Sequence, residues 1–285
     1  MKENVELGTP PTAERERSTD RASATAAPRR RSSRRLWRGV AGALAFGLLL
    51  ELVTRSGLVS ARFLPPFSEI VANVFLLFGR EDFLSALGVT LGAWLLAFVI
   101  TVVIGVSLGV ALGLSDLAYR MTRTLIDIIR PLPAIAMIPL ILLILGRGLE
   151  TALVVTVLGS VWPVLFNTIA GVHDVDPLAK QMARVFAYTR PQVLTRVVLP
   201  SASPFIAVGI RLSASVALIS VVTVELIAGG SGLGAFIGTI GATGNSVALV
   251  YAAIVVTGLL GLAINFAMEL VQNRVFAWQQ RTVEG

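Results

Sequence analysis

The segment between Lys180 and Pro200 holds the most distinctive polar residues of an otherwise very apolar chain. It carries four cations, Lys180, Arg184, Arg190 and Arg196, and small residues recur in it at helical spacing. A loop that only joined two membrane helices would need a few residues, whereas this one has the length of two short helices. The segment therefore predicts contact with a molecule outside the membrane.

The residue inventory excludes several kinds of reactive site. The chain has no cysteine, which rules out disulfides, iron–sulfur clusters and thiol catalysis. Its one histidine, His173, is not enough for a zinc site of the usual His/Cys type, so no metal is expected. Neither of its two lysines, Lys2 and Lys180, lies in a phosphate-binding loop motif. If ATP drives this protein, a partner subunit binds it, and no cofactor is expected in this chain.

The composition predicts a polytopic membrane protein. Hydrophobic residues make up 55% of the 285 residues and charged residues 14%, while soluble domains average about 25% charged residues. The formal net charge of +7 comes from a tail and from loops, since residues 1–38 alone hold ten of the 24 lysines and arginines. The predicted partner is therefore the lipid bilayer and not nucleic acid.

The chain divides into four predicted parts. Residues 1–35, rich in Arg, Ser, Thr, Ala and Pro, are predicted to form a disordered basic tail because they cannot bury a core. Residues 36–61 hold the first transmembrane helix, residues 62–275 a domain of five further helices, and residues 276–285 a second tail. The six predicted spans are about Leu36–Thr54, Leu84–Leu114, Thr124–Leu145, Leu149–Gly171, Pro204–Ala228 and Val247–Val271.

Lysine and arginine are distributed unevenly between the two sides of these spans. With the N-terminus in the cytoplasm, nineteen of them fall on the cytoplasmic side and four on the outside. Because positive residues accumulate in cytoplasmic loops, this orientation is predicted, and it places the long loop 172–203 and both tails in the cytoplasm.

Charged residues, a serine and prolines within the spans are candidates for lining a translocation path. A charged residue inside a membrane span is costly to bury and therefore commonly serves a function. A proline in a span frees a backbone carbonyl that can face a cavity. Arg211 and Glu225 lie about 21 Å apart along the fifth span and so cannot pair with each other. For each candidate the alternative is a structural role, as a kink or as a contact with a neighbouring helix. The candidates are Pro131, Pro133, Pro139, Arg211, Ser215 and Glu225.

The long loop is predicted to be a helix, a turn and a second helix. Ala183 and Ala187 are four residues apart and share one helical face, where small side chains let another surface come close. The second helix, about Arg190–Leu199, follows Thr189 as its N-cap and would end at Pro200.

This loop resembles the cytoplasmic signature E-A-A-x₃-G-x₉-I-x-L-P of permease subunits of binding-protein-dependent ABC importers. Three positions depart from the signature, with Gln in place of Glu, Met in place of Ala and Ala in place of Gly. If position 187 requires a positive φ, alanine there costs roughly 1 kcal/mol relative to glycine. The matching residues are Gln181-Met182-Ala183 for E-A-A, Ala187 for the glycine and Leu199-Pro200 for L-P, with the spacing from Ala187 to Pro200 retained.

Motifs elsewhere resemble the nitrate/sulfonate/taurine-type branch of this family, and together they cover about residues 62–275. They are Leu64-Pro65-Pro66, Thr90-Leu91, Gly105 to Gly113, Arg130-Pro131-Leu132-Pro133, Ile138-Pro139-Leu140, Asn167-Thr168-Ile169-Ala170-Gly171-Val172, Val175-Asp176-Pro177, Gly209-Ile210-Arg211-Leu212, Glu225 and Ser231-Gly232-Leu233-Gly234.

The resemblance implies an all-α fold, the type I ABC importer permease bundle with about six transmembrane helices, in the inner membrane. It also implies a second permease copy forming a homodimer, two ATP-binding subunits on the cytoplasmic face and an external solute-binding protein. The implied solute is a sulfonate, taurine, nitrate or a small heteroaromatic precursor. The residues implied in coupling to the ATPase are Gln181, Met182, Ala183, Arg184, Ala187, Arg190, Leu199 and Pro200.

Two other functions stay open on the sequence. The first is a secondary transporter or channel without an ATPase, which the near absence of buried charge and the length of the loop both disfavour. The second is an intramembrane protease-like enzyme built on Ser231, which would need a histidine on its own side of the membrane. Because His173 falls on the other side, no enzymatic activity is expected.

Overall fold

The computed structural model describes residues 31–60, 63–129, 131–244 and 246–275. The predicted N-terminal tail up to residue 30, the predicted tail 276–285 and Arg130 lie outside these residues. The chain separates into two units, with the boundary after Leu58. The first unit contains helix α1 (Arg31–Arg55), which includes the first predicted span. The last five residues of the predicted disordered tail are therefore helical.

The described residues of the second unit contain no strand and form helices joined by short loops. A 3₁₀ turn precedes α5, and a π turn connects α8 to α9. In chain order the elements are α2 (Phe67–Leu77), α3 (Glu81–Leu114), α4 (Asp116–Ile129), the 3₁₀ turn (Ala134–Met137), α5 (Ile138–Leu145), α6 (Leu149–His173), α7 (Pro177–Val185), α8 (Arg190–Val193), the π turn (Leu194–Val198), α9 (Leu199–Ala228), α10 (Leu233–Thr243) and α11 (Val247–Val275).

Four helical stretches among the described residues are long and apolar enough to cross a membrane. They are α3, α6, the continuous stretch Arg190–Ala228 and α11, and the bent pair α4–α5 would make a fifth. The second, fourth and sixth predicted spans match α3, α6 and α11 closely. Helix α1 is not among these stretches, so the structure supports four or five of the six predicted spans.

The prolines divide the third predicted span in the predicted place, with one exception. Helices α4 and α5 are bent by 72° relative to each other, and Pro131 and Pro133 lie between them, where a proline lacks the N–H that a continuing helix needs. Pro139 does not interrupt a helix. It lies in the first turn of α5, where its missing N–H has no intrahelical partner to lose.

Helices α3, α6 and α11 run in one direction along the second unit, and α9 runs in the opposite direction. We call the end that holds α7 and α8 the loop end, and the opposite end, which holds α10, the far end. Helix α6 packs along both α3 and α9, and α11 packs against α9 and α2. This three-helix contact of α3, α6 and α9 is the frame on which both ends are built.

Three glycines on α3 let α6 approach its backbone. They recur every fourth residue, at Gly105, Gly109 and Gly113, and so share one helical face. A Cβ atom at Gly109 would lie 2.5 Å from the Cβ of Thr168 on α6, and one at Gly113 would lie 2.7 Å from the Cβ of Val172. Small residues at such spacing are the usual means of close helix contact in membranes, where no hydrophobic drive brings apolar helices together.

The contact between α6 and α9 uses the same device together with hydrogen bonds. A Cβ atom at Gly209 on α9 would lie 2.8 Å from the carbonyl oxygen of Pro163 on α6. The hydroxyl of Ser213 donates to the carbonyl of Ser160 at 2.6 Å, and the hydroxyls of Ser160 and Thr101 lie 2.9 Å apart. These buried bonds join all three helices at mid-length.

Replacing Gly109 with alanine should destabilise the protein even though alanine is the better helix former. The added methyl group must push α6 away, which costs about 1–3 kcal/mol and outweighs a gain of at most about 1 kcal/mol from helix propensity. The midpoint of thermal unfolding in detergent should therefore fall.

The matched control is Gly92→Ala on the same helix, because a Cβ atom at Gly92 meets no heavy atom within 4 Å. Its unfolding midpoint should stay unchanged or rise. Equal effects of the two substitutions would contradict the proposed role of the glycine contact.

Candidate functional site

Helix α7 opens the long loop, and its start is fixed by its own sequence. The carboxylate of Asp176, the N-cap, accepts a hydrogen bond from the backbone N–H of Leu178 at 2.8 Å, and Pro177 occupies the first turn. The ammonium of Lys180 donates to the carbonyl of Val172 at 3.2 Å, which satisfies a carbonyl at the end of α6. The loop is thus tied directly to the membrane helix that precedes it.

The turn after α7 is a Schellman motif with alanine at the position that glycine usually takes. The N–H of Tyr188 donates to the carbonyl of Ala183 at 3.0 Å, and the N–H of Ala187 donates to the carbonyl of Arg184 at 2.9 Å. Ala187 has φ 57°, and it is the one non-glycine residue with a positive φ among the described residues. The structure therefore has the positive φ that is expected if Ala187 takes the place of the glycine in the family signature.

The second helix of the loop starts as predicted but does not end as predicted. Thr189 is the N-cap of α8, and its N–H donates to the side-chain oxygen of Gln192 at 2.8 Å. The chain then continues through the π turn into α9 without a break, and Pro200 lies in the first turn of α9. The predicted helix end at Pro200 is wrong, because Pro200 lies just after the π turn, where the regular i→i−4 hydrogen bonds are already interrupted. Leu199 is the first residue of α9.

The face of α7 that carries Ala183 is turned inward. Ala183 is only 6% exposed. The surface that packs against its small side chain therefore belongs to this chain. The structure thus places Ala183 against its own chain, and a role of Ala183 in coupling stays a prediction. An Ala183→Asp substitution would disturb the folding of the loop before it disturbed any docking.

The outward face of α7 is apolar. Val185 is 84% exposed and Phe186 71% exposed, and Leu178 and Met182 on the same side are also exposed. Residues at positions i, i+4 and i+7 or i+8 of a helix form one stripe, and here that stripe points away from the core. We call Leu178, Met182, Val185 and Phe186 the α7 patch. A contiguous exposed apolar patch marks an interaction site.

The long loop also carries cations. Arg184 and Arg190 border a cavity of about 640 Å³ between the loop and the end of α3. The guanidinium of Arg196 lies 5.7 Å from the ring centroid of Tyr188, a cation–π contact that holds the turn against the second helix. Gln181 is exposed on α7. The loop therefore presents both an apolar stripe and exposed cationic side chains.

Arg211, a candidate for the path, is paired with a neighbouring helix. Its Nε donates to the side-chain oxygen of Asn265 at 3.0 Å, and its Nη2 donates to a carboxylate oxygen of Glu269 at 2.8 Å. Both partners lie on α11, so the cation ties α9 to α11 in the half of the bundle nearer the loop end. Sequence reasoning missed these partners, although both fall within the sixth predicted span, because they lie 54 and 58 positions away from Arg211.

Glu225, the other charged candidate, is a buried helix cap at the far end. Its carboxylate accepts hydrogen bonds from the hydroxyl of Thr90 on α3 and from the N–H of Gly234 in the first turn of α10. The oxygen of Thr90 in turn accepts the N–H of Leu233 at 2.7 Å. An anion at a helix N-terminus satisfies free N–H groups and meets the positive end of the helix dipole.

The glycines of the Ser231–Gly234 motif are explained by this carboxylate. Any Cβ atom at Gly232 would overlap the carboxylate of Glu225, and one at Gly234 would overlap the backbone of α9. Gly232 also has φ 100°, a conformation that side chains rarely adopt. The motif therefore allows α10 to lie directly on the end of α9.

The remaining path candidates lie apart from one another. Ser215 borders an apolar groove of about 630 Å³ between α9, α10 and α11. The segment after Pro131 and Pro133 leads into α5, which packs on α6 and α9 through Ile138 and its neighbours. The structure does not bring the six candidates into one site. His173 and Ser231 lie at opposite ends of the second unit, and the described residues hold no group of three or more His, Cys, Asp or Glu side chains that could hold a metal ion.

Two permease proteins of known transport systems are similar to this chain in sequence. The taurine transport system permease protein TauC of Escherichia coli K12 is 30% identical over 226 residues, which are 78% of this chain and 82% of TauC. The nitrate import permease protein NrtB of Leptolyngbya laminosa is 26% identical over 168 residues. That match covers 59% of this chain and only 60% of the length of NrtB.

The fold is similar to that of a solved transporter. An inward-facing structure of the MetNI methionine ABC transporter superposes with a TM-score of 0.60 at 21% identity, covering 69% of this chain and 99% of that chain. At this identity the likeness concerns the fold alone.

A family profile matches more than half of the chain. It spans residues 101–277, from the middle of α3 to the end of α11, and it includes the whole long loop. The profile describes the binding-protein-dependent transport system inner membrane component. The chain therefore belongs to this family of inner-membrane transport components.

Proposed function

We propose that this chain is the membrane-spanning permease subunit of an ABC importer for a small solute, and that the long loop couples it to a separate ATPase. The α7 patch carries this proposal. A soluble helix turns its apolar face inward, whereas α7 exposes Met182, Val185 and Phe186 and buries Ala183. The occupant that we propose for the patch is an ATP-binding subunit, because the chain belongs to a family of transport components and has no phosphate-binding loop motif of its own.

The geometry of the loop suits the transmission of force. The Schellman motif at Ala187 and the cap at Thr189 hold α7 and α8 in one arrangement. From Arg190 the helical stretch continues to Ala228 without a break of even one residue. A displacement of α7 by a partner would act on α9 directly, and α9 packs along α6 over much of its length. Such coupling of a ligand-driven closure to a bundle with two arrangements is a known basis of switching.

The proposed orientation follows from the distribution of positive charge, and the proposed partners follow from the family to which the chain belongs. Nineteen lysines and arginines against four favour a cytoplasmic N-terminus, a cytoplasmic loop end and an outer far end. The partners proposed are two ATP-binding subunits at the loop end, a solute-binding protein at the far end and a second copy of this chain. ATP is then bound by the partner. The domain that we propose forms the translocation path is residues 62–275, and the six path candidates are distributed along it.

The proposed solute is a sulfonate, taurine or nitrate, because relatives are named for taurine, nitrate and aliphatic sulfonates. The test is reconstitution of the chain with its ATPase and binding protein in vesicles. Uptake should require ATP and should vanish when the ATPase cannot hydrolyse it. Uptake that survives would instead support a secondary transporter or channel.

The substitution Phe186→Asp should uncouple the transporter without unfolding it. A charge in the centre of the α7 patch should weaken retention of the ATPase at least about tenfold, as expected for an aromatic residue at the centre of an interface. Co-purification of the ATPase and ATP-dependent uptake should both fall, while the unfolding midpoint of the permease stays unchanged.

The matched control for this prediction is Phe63→Asp. Phe63 lies in the second unit before α2, away from the loop, and is 72% exposed. It should retain the ATPase. Normal uptake by Phe186→Asp would exclude docking at the α7 patch.

Replacing Ala187 with glycine should stabilise the loop and leave transport intact. Glycine adopts a positive φ freely, so the free energy of unfolding should rise by up to about 1 kcal/mol. The matched control is Ala179→Gly inside α7, where glycine should lower stability by about 1 kcal/mol. Unfolding midpoints of the two variants should move in opposite directions, and a fall in both would mean that the φ at position 187 is not strained.

A further inference from the structure

A cavity of about 550 Å³ opens at the far end between the start of α3 and helix α10. This volume falls within the range of about 300–1,000 Å³ that small-molecule sites occupy. It lies at the opposite end of the second unit from the α7 patch, so the coupling loop does not use it. Among its described lining residues, Arg80 and Asp82 are the charged ones.

Arg80 and Asp82 form a bidentate ion pair on the wall of the cavity. The Nε of Arg80 donates to one carboxylate oxygen of Asp82 at 3.0 Å and its Nη2 donates to the other at 2.6 Å. The side chains are 45% and 54% exposed, so both heads remain accessible. The hydrogen bond to Asp82 raises the pKa of the Arg80 guanidinium above its ordinary value, which keeps this cation charged.

Two further contacts hold the pair in position. The carboxylate of Asp82 accepts the backbone N–H of Phe83 at 2.9 Å in the first turn of α3. The guanidinium carbon of Arg80 lies 5.8 Å from the ring centroid of Phe236 on α10. Both charged heads are thus preorganised by α3 and α10 before any ligand arrives, which lowers the cost of binding.

Unused hydrogen-bonding capacity remains on both heads. A guanidinium has five N–H donors and an ionised carboxylate about four acceptor sites. The pair and the contact with Phe83 use two of these donors and three of these acceptor sites. A ligand can therefore bind to both heads without separating them.

The rest of the wall suits a short polar molecule. Ser85, Ser231 and Thr239 line the cavity, and Val89 and Ile240 add apolar surface. Gly230 and Gly232 keep the wall open because they have no side chain. Glu225 is buried behind Gly232, where it is held by Thr90 and α10.

The charge of this wall selects among ligands. A simple anion that approaches Arg80 meets the carboxylate of Asp82, and a simple cation that approaches Asp82 meets the guanidinium. A small molecule that carries both an anionic head and an ammonium group satisfies both. Resting on the proposed function, we propose that this cavity binds a small zwitterionic solute of the amino-sulfonate or amino-acid class as it enters from the outer face. Arg80 binds the anionic head and Asp82 the ammonium.

The test compares two molecules that differ at one group. Taurine carries a sulfonate and an ammonium, and isethionate carries the same sulfonate with a hydroxyl in place of the ammonium. Binding of each to the purified full-length chain is measured by ligand-detected NMR titration. The unsubstituted chain should bind taurine about fivefold more tightly than isethionate, the size of effect that one partly exposed ion pair supplies.

The variants separate the roles of the two charges. Asp82→Asn keeps an oxygen for the N–H of Phe83 and should abolish the preference for taurine, while Arg80→Gln should weaken the binding of both ligands about fivefold. Arg80→Lys keeps the cation and should keep the preference. The matched control is Asp127→Asn, which removes the acid of another exposed ion pair, that with Arg123 on α4, and should change nothing.

Equal affinity of the unsubstituted chain for the two ligands would overturn this inference, as would an unchanged preference in a folded Asp82→Asn variant. ATP-dependent uptake is measured in parallel with the reconstituted complex. If uptake depends on ATP but the preference is absent, the inference about the cavity fails alone. If no ATP-dependent uptake occurs, the proposed function itself fails.

Discussion

The close approach of helix α6 to α3 and α9 is the constraint on which the rest of this structure depends. Apolar helices in a bilayer gain no hydrophobic energy by leaving lipid for one another, so close packing and hydrogen bonds must hold them together. Gly105, Gly109 and Gly113 on one side of α6, and Gly209 on the other, allow that packing. The hydroxyls of Ser160 and Ser213 add a directional contact. The frame positions everything at either end.

The two ends of the frame use charge in different ways. At the far end the carboxylate of Glu225 is buried, and its hydrogen bonds fix α10 against α3 and α9. At the loop end Arg184, Arg190 and Arg196 stay exposed. The stretch from Arg190 to Ala228 joins the two ends, so a force applied at the loop would reach the residues that hold α10. This continuity gives the proposed coupling a physical route.

The sequence predicts most of the frame because its signals are local. Long apolar runs define α3, α6 and α11, and prolines mark the division between α4 and α5. The positive φ of Ala187 is indicated by the glycine that the family signature has at this position. Pro139 and Pro200 mislead, because a proline that would break a regular helix interior is tolerated in a first turn and just after a π turn. Whether a proline starts or ends a helix depends on the chain around it.

The parts that sequence reasoning misses are contacts between distant segments. Thr90 and Glu225 are separated by 135 positions, and nothing in either neighbourhood indicates that they meet. The pairing of Arg211 with Glu269 is hidden in the same way. Ala183 is a small residue on an amphipathic helix, and its spacing alone cannot tell which face turns inward. Only the packed structure shows that the apolar face of α7 is the exposed one.

The central claim is that the α7 patch contacts the ATPase, and cysteine cross-linking tests it most directly. Since the chain has no cysteine, a single cysteine at Phe186 reports on one place. In a complex that hydrolyses ATP, this variant, labelled with a maleimide that carries a photoreactive group, should cross-link to the ATPase on illumination, while a labelled cysteine at position 63 should not. Absence of the cross-link at position 186 in an active complex, or its appearance at position 63 alone, would contradict the account.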